Sequence, residues 1–367
     1  MKKFHKKNLE VQKVDVIIVG QGIAGSLLSH VLLREGKSVL VIDNYHHQSA
    51  SKVAAGLYNP IVFKRLTQSW MAEELIPSLE KIYSEVENNL GVKIHHKKPI
   101  YRIFANEEDQ KFWLKKSQEE NLMQFLSSDI KYFEDENIKN DFGAGEVLQS
   151  GWLDIKLFIN KFREILLSNK LLVEEKFVFS DLKMTETGVL WKDIQADKII
   201  FCEGTQAISN PYFSWLPYKN TKGEVLDLEI SQLQTEDVLN RNAFLFKNNE
   251  GIFKAGSTYE WDVLDDVPTE KGKNEILEKI NKVYAGEIKV KNHVAGVRPT
   301  SKDRRPFIGL HPEYKNIGIF NGFGPKAVMI APYFAEHFFQ HLFNNKPLNN
   351  EASIERFYAN YSSRNKE

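Results

Sequence analysis

Two glycine-rich segments near opposite ends of the chain hold the residues best placed to do chemistry. Residues 20–25 read GQGIAG and lie between apolar stretches at 14–19 and 26–34. This order predicts a strand, a tight turn and a helix, in which Gly20 permits the turn, Gly22 lets a pyrophosphate approach and Gly25 allows close packing. The N–H groups at the start of such a helix favour an anion. The segment therefore predicts a dinucleotide site.

An acidic residue follows at the spacing that such a site requires. The strand predicted over residues 38–42 is followed by Asp43, whose carboxylate can accept hydrogen bonds from the ribose of an adenosine. NAD and FAD present the same ADP half to this unit, so the motif alone leaves both cofactors open.

The second glycine-rich segment favours one of the two cofactors. Residues 322–326 read GFGPK and lie between a strand predicted at 317–320 and a helix predicted at 328–343. If this loop forms the start of the helix, its N–H groups and Lys326 face the pyrimidine end of a flavin, where negative charge grows on reduction. A nicotinamide dehydrogenase needs no second anion site of this form. We therefore predict one bound FAD.

Length, charge and cysteine content narrow the class of protein. The 367 residues are too many for one simple core and suggest two domains. The 49 basic and 49 acidic residues give a formal net charge of zero, which argues against a nucleic-acid partner, although residues 1–7 form a basic arm. Polar residues and glycines interrupt the apolar stretch at 14–33, so we expect no stable membrane insertion. Cys202 is the only cysteine, which excludes an intramolecular disulfide and favours a cytoplasmic location.

The order of predicted elements indicates an α/β chain, α+β overall, with a Rossmann-like FAD-binding domain and a discontinuous, mostly antiparallel substrate domain. The small, aperiodic side chains of residues 49–60 predict a loop over which a flat ring can lie. The segments expected in the FAD-binding domain are residues 12–90, 150–208 and 292–345. The substrate domain is expected to contain residues 91–149 and 209–291, with residues 1–11 and 346–367 as tails.

Several segments together resemble the D-amino-acid oxidase-like superfamily of FAD-dependent oxidoreductases and, within it, the glycine oxidase group. The segments are residues 16–25, 55–57, 151–154, 201–204 and 296–299. Residues 55–60 and Lys326 are also similar to the oxidase half of the bifunctional tRNA enzymes that act on a modified wobble uridine.

The resemblance implies oxidation of the C–N bond of a small amino acid or N-substituted glycine by hydride transfer to flavin N5, with oxygen or another acceptor reoxidising the flavin. It implies Arg298 as the anchor of the substrate carboxylate and Tyr259 as a second ligand. The alternatives are an Arg298 that caps a carbonyl or pairs with a core acid, and a Tyr259 that only packs. The residues implied at the cofactor are Gly20, Gly22, Ile23, Ala24, Gly25, Asp43, Ser49, Ser51, Ala55, Gly56, Val178, Gly204, Gly324, Lys326 and Ala327.

The chain departs from these relatives at three places. Ala327 stands where glycine is common, which predicts a displaced flavin-facing loop or altered flavin electronics. The C-terminal region has no cysteine for covalent attachment, so the FAD is expected to be non-covalent. Glu203 replaces a small residue, and the sequence leaves its role open. Cys202 itself is predicted to be a buried packing thiol, and His293 is a weaker candidate for a base.

Other functions stay open at this point. A tRNA-modifying oxidase acting on a carboxymethylaminomethyl-uridine needs a basic surface, for which Lys52, Lys64 and Arg65 are candidates. An NAD(P)H-dependent flavin monooxygenase and a non-catalytic flavin-binding protein are the further alternatives. His46 and His47 lack additional ligands at suitable spacing, so no metal is predicted.

Overall fold

The structure is a computed structural model that describes residues 12–45 and 49–364. Residues 1–11, which include the basic arm, and the pair His46 and His47 lie outside the described residues. The strands are β1 (Gln12–Val19), β2 (Val39–Ile42), β3 (Leu57–Tyr58), β4 (Ile61–Val62), β5 (Thr67–Gln68), β6 (His95–Lys97), β7 (Ile100–Ile103), β8 (Leu126–Lys131), β9 (Ala144–Val147), β10 (Gly151–Leu153), β11 (Leu172–Val173), β12 (Leu182–Met184), β13 (Val189–Trp191), β14 (Ile194–Phe201), β15 (Thr221–Glu229), β16 (Val238–Asn240), β17 (Phe244–Lys247), β18 (Phe253–Gly256), β19 (Lys289–Arg298), β20 (Phe307–Leu310) and β21 (Ile317–Asn321).

The α-helices connect and cover these strands. They are α1 (Ile23–Arg34), α2 (Ala50–Val53), α3 (Ala72–Leu90), α4 (Glu107–Ser117), α5 (Ile155–Ser168), α6 (Glu270–Ile280), α7 (Ala327–Asn344) and α8 (Tyr358–Arg364). Short 3-10 turns occur at Phe179–Asp181, Gly204–Ser209, Gly324–Lys326 and Ile354–Phe357. None of the described helices is long and apolar enough to cross a membrane.

The first large sheet contains the predicted glycine turn. Its strand order is β11-β2-β1-β14-β13-β12, and β21 extends it by pairing with β14 and β20. Five of its strands run parallel to one another, namely β11, β2, β1, β14 and β21. The others join through antiparallel pairs, which are β12 with β13, β13 with β14 and β20 with β21. Parallel strands joined through covering helices are the Rossmann-like arrangement that the sequence predicts.

The central strand β1 is apolar without interruption from Val16 to Val19 because both of its faces are buried. Val16 and Ile18 pack into the core under α1 and α7, whereas Ile17 and Val19 pack into the core on the opposite face. Successive side chains of a strand point to opposite sides, which accounts for this division.

The second large sheet has the strand order β19-β15-β18-β17-β16-β7-β9-β8. Every neighbouring pair is antiparallel except β16 and β7. The sheet takes strands from three separate stretches of the chain, and α6 packs against one of its faces through Ile276 and Ile280. The predicted fold class, with its discontinuous and mostly antiparallel second part, is therefore confirmed.

One local prediction is wrong. Residues 49–60 are not all loop, because they contain α2 and the strand β3, which pairs with β10.

The strand pairing also bears on the domain boundaries. β19 pairs along its length with β15 of the second sheet, so we propose that the boundary expected at residue 292 lies after Arg298. Ala352 and Ile354 are fully buried against the first sheet. We therefore propose that residues 346–364 belong with the FAD-binding domain and are not a tail.

Candidate functional site

The turn from β1 into α1 has the close backbone contacts that require glycine. Gly20 has a φ of 99°, in the region that favours glycine. A Cβ atom on Gly25 would lie 1.9 Å from the carbonyl oxygen of Gly20. The first turn of α1 can therefore lie against the end of β1, as the dinucleotide motif requires.

The start of α1 offers N–H donors that its own side chains do not cap. The N-cap residue is Gly22, which has no side chain to accept a hydrogen bond. The N–H of Ile23 instead donates to Ser51 Oγ over 3.1 Å. This bond brings the predicted cofactor residue Ser51, on α2, to the end of the helix where a phosphate group is favoured.

Asp43 lies beside the same turn and has room for one more donor. Its carboxylate accepts the backbone N–H groups of Gln21 and Tyr45 and a guanidinium N–H of Arg163, each over 2.8 Å. A carboxylate has about four acceptor positions, so the described residues leave one of them for a ribose hydroxyl. Arg163, which also binds Glu174, was not predicted. Its sequence signal is weak, since it lies 120 residues from Asp43.

The loop after α2 contacts the strand β10 closely. Gly56 has a φ of 84°, and a Cβ atom there would lie 2.0 Å from the carbonyl oxygen of Leu153. The carbonyl oxygen of Ala55 accepts the indole N–H of Trp152 over 2.7 Å. These contacts fix the backbone of the small-residue segment between α2 and β3, as expected of a surface over which a flat ring lies.

The end of β14 lies against the glycine turn. A Cβ atom on Gly20 would lie 2.5 Å from the carbonyl oxygen of Cys202. Cys202 is buried, as predicted, and burial raises the pKa of its thiol. Burial also raises the pKa of Glu203 to about 7, although Asn210 donates to this carboxylate over 2.6 Å. The carbonyl oxygen of Gly204 accepts the side-chain amide of Asn321.

The second glycine loop leads into α7, as the sequence predicts. Gly324 has a φ of 59°, and its N–H donates to the carbonyl oxygen of Pro299 over 2.9 Å. Ala327 has ordinary helical angles, φ −51° and ψ −40°, so alanine at this position imposes no backbone strain. The expected displacement of the loop by Ala327 therefore has no backbone cause in this structure.

Lys326, just before α7, is a half-buried cation. Its ammonium group donates to Ser69 Oγ and pairs with no carboxylate in the described part of the chain. Burial lowers the pKa of Lys326 to about 8. An uncompensated ammonium group at a helix start is well placed to meet an anionic ligand.

Arg298 is a second cation without a carboxylate partner among the described residues. Its guanidinium donates to Ser257 Oγ over 2.9 Å and makes longer bonds of 3.3 to 3.4 Å to the carbonyl oxygens of Lys222 and Thr258. Burial lowers the pKa of Arg298. The guanidinium lies over Gly223, where a Cβ atom would be 1.8 Å from Nη2. The alternative in which Arg298 caps carbonyls is thus partly observed, but its pairing with a core acid is not.

Tyr259 meets Arg298 through the face of its ring. The Arg298 Cζ atom lies 4.6 Å from the ring centroid, a cation–π geometry. His293 lies elsewhere on the second sheet, with Nε2 2.7 Å from a carboxylate oxygen of the buried Glu224. The Glu224 carboxylate is thus the neighbour of this ring nitrogen, and the role of His293 as a base stays a prediction.

The predicted residues converge from four segments of the chain. The strand carrying Arg298 packs on α2, because a Cβ atom on Gly296 would lie 3.1 Å from Val53. Directly after Arg298, Thr300 forms a β-bridge with Phe323 of the second glycine loop. The structure thus brings together the glycine turn, the loop after α2, the second glycine loop and Arg298. Val178 precedes the 3-10 turn at Phe179–Asp181, and its place at the cofactor stays a prediction.

This donor set fits FAD. The Gly20–Gly25 cradle and the uncapped start of α1 suit a pyrophosphate, Asp43 suits a ribose, and Lys326 suits the pyrimidine end of an isoalloxazine ring. The fold and the site therefore define a flavin-binding protein of the Rossmann-like class.

Comparisons with known proteins identify the family. Residues 15–340 match the family described as FAD dependent oxidoreductase. Glycine oxidase from Bacillus subtilis (strain 168) is 20% identical over 343 residues, which are 87% of this chain and 90% of that relative. The crystal structure of glycine oxidase from Bacillus cereus ATCC 14579 covers 91% of this chain and 96% of its own, with a TM-score of 0.75 and 20% identity. The crystal structure of iminodiacetate oxidase from Chelativorans sp. BNC1 covers 92% of this chain and 98% of its own, with a TM-score of 0.76 and 18% identity.

The chain belongs to the FAD-dependent oxidoreductase family, and the predicted enzyme class and cofactor are confirmed. The similarity to glycine oxidases in sequence and in fold supports the predicted place in the D-amino-acid oxidase-like group.

Proposed function

We propose that this enzyme oxidises the C–N bond of a small amino acid or N-substituted glycine with a non-covalent FAD. The observation that carries the proposal is Arg298, a half-buried guanidinium that no carboxylate of the described residues neutralises. A buried cation of this kind is costly unless a ligand supplies the anion. Glycine oxidase and iminodiacetate oxidase, to which the chain is similar, are named for substrates that carry carboxylates.

FAD, when bound, supplies the acceptor for the electrons of the C–H bond beside the amine. Arg298 holds the substrate carboxylate by charge-assisted hydrogen bonds and fixes the orientation of the amine carbon. Its bonds to Ser257 and Thr258 hold the guanidinium plane in place before the substrate arrives. Lys326 stabilises negative charge at the start of α7. No protein base is required, because a deprotonated amine is the reacting form.

The proposal is tested by anaerobic reduction of the flavin with a panel of amines: glycine, sarcosine, proline, D-amino acids and carboxymethylaminomethyl-uridine. Arg298→Gln is expected to lower kcat/KM for carboxylated amines by about a hundredfold, because a charged hydrogen-bond pair at a buried site is lost. Arg298→Lys keeps the charge without the planar guanidinium and should lower kcat/KM for carboxylated amines about tenfold.

Arg241→Gln is the matched control, since it removes the same charge from the turn between β16 and β17, where the Arg241 guanidinium donates to the backbone carbonyl of Lys282. An Arg298→Gln enzyme with an unchanged KM for every carboxylated amine would contradict the proposal. Reduction by the nucleoside alone would favour a tRNA-modifying oxidase, and reduction by NADPH alone a monooxygenase. Retention of FAD without any reduction would favour a non-catalytic flavin-binding protein.

A further inference from the structure

Exposed apolar side chains are concentrated in the loop of residues 259–267, which joins β18 to α6. Isolated exposed apolar residues are ordinary, whereas a run of them marks a binding surface. The exposed fractions in this loop are 50% for Tyr259, 51% for Trp261, 53% for Val263, 44% for Leu264 and 59% for Val267.

This loop begins at the substrate anchor. The ring of Tyr259 lies against the guanidinium of Arg298, with 4.6 Å between the ring centroid and Cζ. The ring of Trp261 stacks on that of Tyr259, with a centroid distance of 6.1 Å and an interplanar angle of 25°. A carboxylate bound at Arg298 would therefore lie next to an aromatic surface.

A buried lysine holds the loop in this position. Lys222 is 1% exposed, and its ammonium group donates to Asp265 and to the carbonyl oxygen of Val267, each over 2.5 Å. The backbone of Glu260 pairs with that of Lys222 in both directions. The aromatic surface is therefore fixed before a ligand binds, which reduces the entropy lost on binding.

The acidic side chains of the loop disfavour a polyanion. Asp265 is paired with Lys222, and the Glu260 carboxylate accepts the backbone N–H groups of Trp261 and Asp262. Residues 260, 262, 265 and 266 are all acidic, so the surface repels the phosphates of a nucleic acid.

The sheet beside Arg298 is apolar as well. Val225 is on the same face of β15 as Gly223, over which the guanidinium lies, because the two residues are two positions apart. A Cβ atom on Gly256 would lie 3.1 Å from the Phe244 ring, 3.1 Å from the carbonyl oxygen of Glu224 and 3.4 Å from Val225, so these two side chains pack closely around this glycine. The two side chains that the structure shows at this part of the sheet are therefore apolar.

We infer that the preferred substrate is an amino acid or N-substituted glycine with a large apolar group, and that Tyr259 and Trp261 bind this group while Arg298 binds the carboxylate. The inference rests on the proposed function for the identity of the substrate, but the binding site that it names is testable without turnover.

The test measures binding of carboxylates that lack an amine to the purified FAD-loaded enzyme, by the change in the flavin absorbance spectrum. Acetate, hexanoate and phenylacetate form the series. Phenylacetate is expected to bind at least about tenfold more tightly than acetate, because it buries its ring on the loop. Trp261→Ala should reduce the ratio of the phenylacetate affinity to the acetate affinity to about threefold or less and leave acetate binding unchanged. Trp261→Phe should keep most of that ratio.

Tyr132→Ala is the matched control, because Tyr132 is an aromatic residue outside the loop with 58% of its surface exposed. It should leave the series unchanged. Equal affinities of the wild-type enzyme for acetate and phenylacetate would overturn the inference, and this measurement does not depend on the folding of any variant. If amines reduce the flavin but glycine is the best of them, the proposed function stands and the inference fails. If phenylacetate shows the gain and no amine reduces the flavin, the apolar site stands and the proposed function fails.

Discussion

Arg298 and Lys326 are cations that burial penalises and that no carboxylate of the described residues neutralises. Burial lowers the pKa of each, to about 8 in the case of Lys326. Their hydrogen bonds go to hydroxyl or carbonyl oxygens, which carry no full charge. Two such groups in one fold are suited to two anions. Under the proposed function these are a carboxylated substrate at Arg298 and an anionic flavin at Lys326.

The pKa of Lys326 predicts how stability depends on pH in protein from which FAD has been removed. Below about pH 8 the lysine is charged in the folded and unfolded states, and its burial costs stability. Between pH 8 and the ordinary pKa of 10.5 the unfolded chain binds more protons, so the penalty is relieved as pH rises. Lys326→Met should therefore be more stable than the wild type at pH 7, by about 1–3 kcal/mol, with a smaller difference at pH 10.

Urea unfolding at the two pH values measures this difference. Lys64→Met is the control, because Lys64 lies exposed in the hairpin between β4 and β5 and should change stability equally at both pH values. A Lys326→Met protein whose advantage over the wild type is the same at pH 7 and pH 10 would show that Lys326 is not a desolvated cation.

At the scale of elements, the junction of β1 and α1 is the contact least able to accept an added atom. A Cβ atom on Gly25 would meet the backbone of Gly20 at 1.9 Å, and a backbone atom cannot rotate away. Gly25→Ala should therefore displace α1 from the strand and weaken FAD binding at least about a hundredfold, because we propose that the helix and the turn both hold the pyrophosphate. The measurement is the FAD content of the purified protein and the Kd of added FAD.

Gly36→Ala is the matched control at the other end of α1. A Cβ atom there meets nothing within 4 Å, although the φ of 74° makes alanine mildly unfavourable. Gly36→Ala should lose about 1 kcal/mol of stability and keep its FAD affinity. Equal FAD content in the two variants would disprove the steric argument.

The elements around the cofactor were largely predictable, because their signals are local. The glycine turn, Asp43 and the start of α7 follow from residue types at fixed spacing. The partners of these residues were not predictable. Arg163 reaches Asp43 from α5, and Gly223 makes room for Arg298 from the neighbouring strand, so both depend on tertiary contacts that no local pattern encodes.

Other misses have equally physical causes. The small, aperiodic residues at 49–60 gave no sign of the short helix α2, because four residues are too few to show a helical period. The sequence predicts Tyr259 as a second ligand of the substrate carboxylate, with packing as the alternative, and it does not predict the exposed apolar surface of residues 259–267. The sequence cannot distinguish an exposed tryptophan from a buried one when the loop is held by a lysine 39 positions before Trp261. Glu203 was left open, and only its burial in the structure explains the raised pKa.

At the scale of the whole molecule, the chain passes repeatedly between its two large sheets. The second sheet takes its strands from residues 100–147, 221–256 and 289–298, and the segments between and beside them build the first sheet. The last strand of the second sheet along the chain, β19, leads directly to Pro299. The carbonyl oxygen of Pro299 accepts the N–H of Gly324. Because neither sheet is a continuous piece of chain, we expect unfolding of one sheet to destabilise the other.

This interleaving predicts that the two sheets unfold together when FAD is bound. In hydrogen exchange followed by mass spectrometry at increasing urea concentrations, peptides from β1 and from β15 should lose protection at the same urea concentration. Excess FAD at a thousand times its Kd should add about 4 kcal/mol to the stability of both, because the cofactor binds only the folded state. Separate midpoints, or a shift with FAD confined to β1, would show that the sheets are independent units and that the cofactor stabilises only the first.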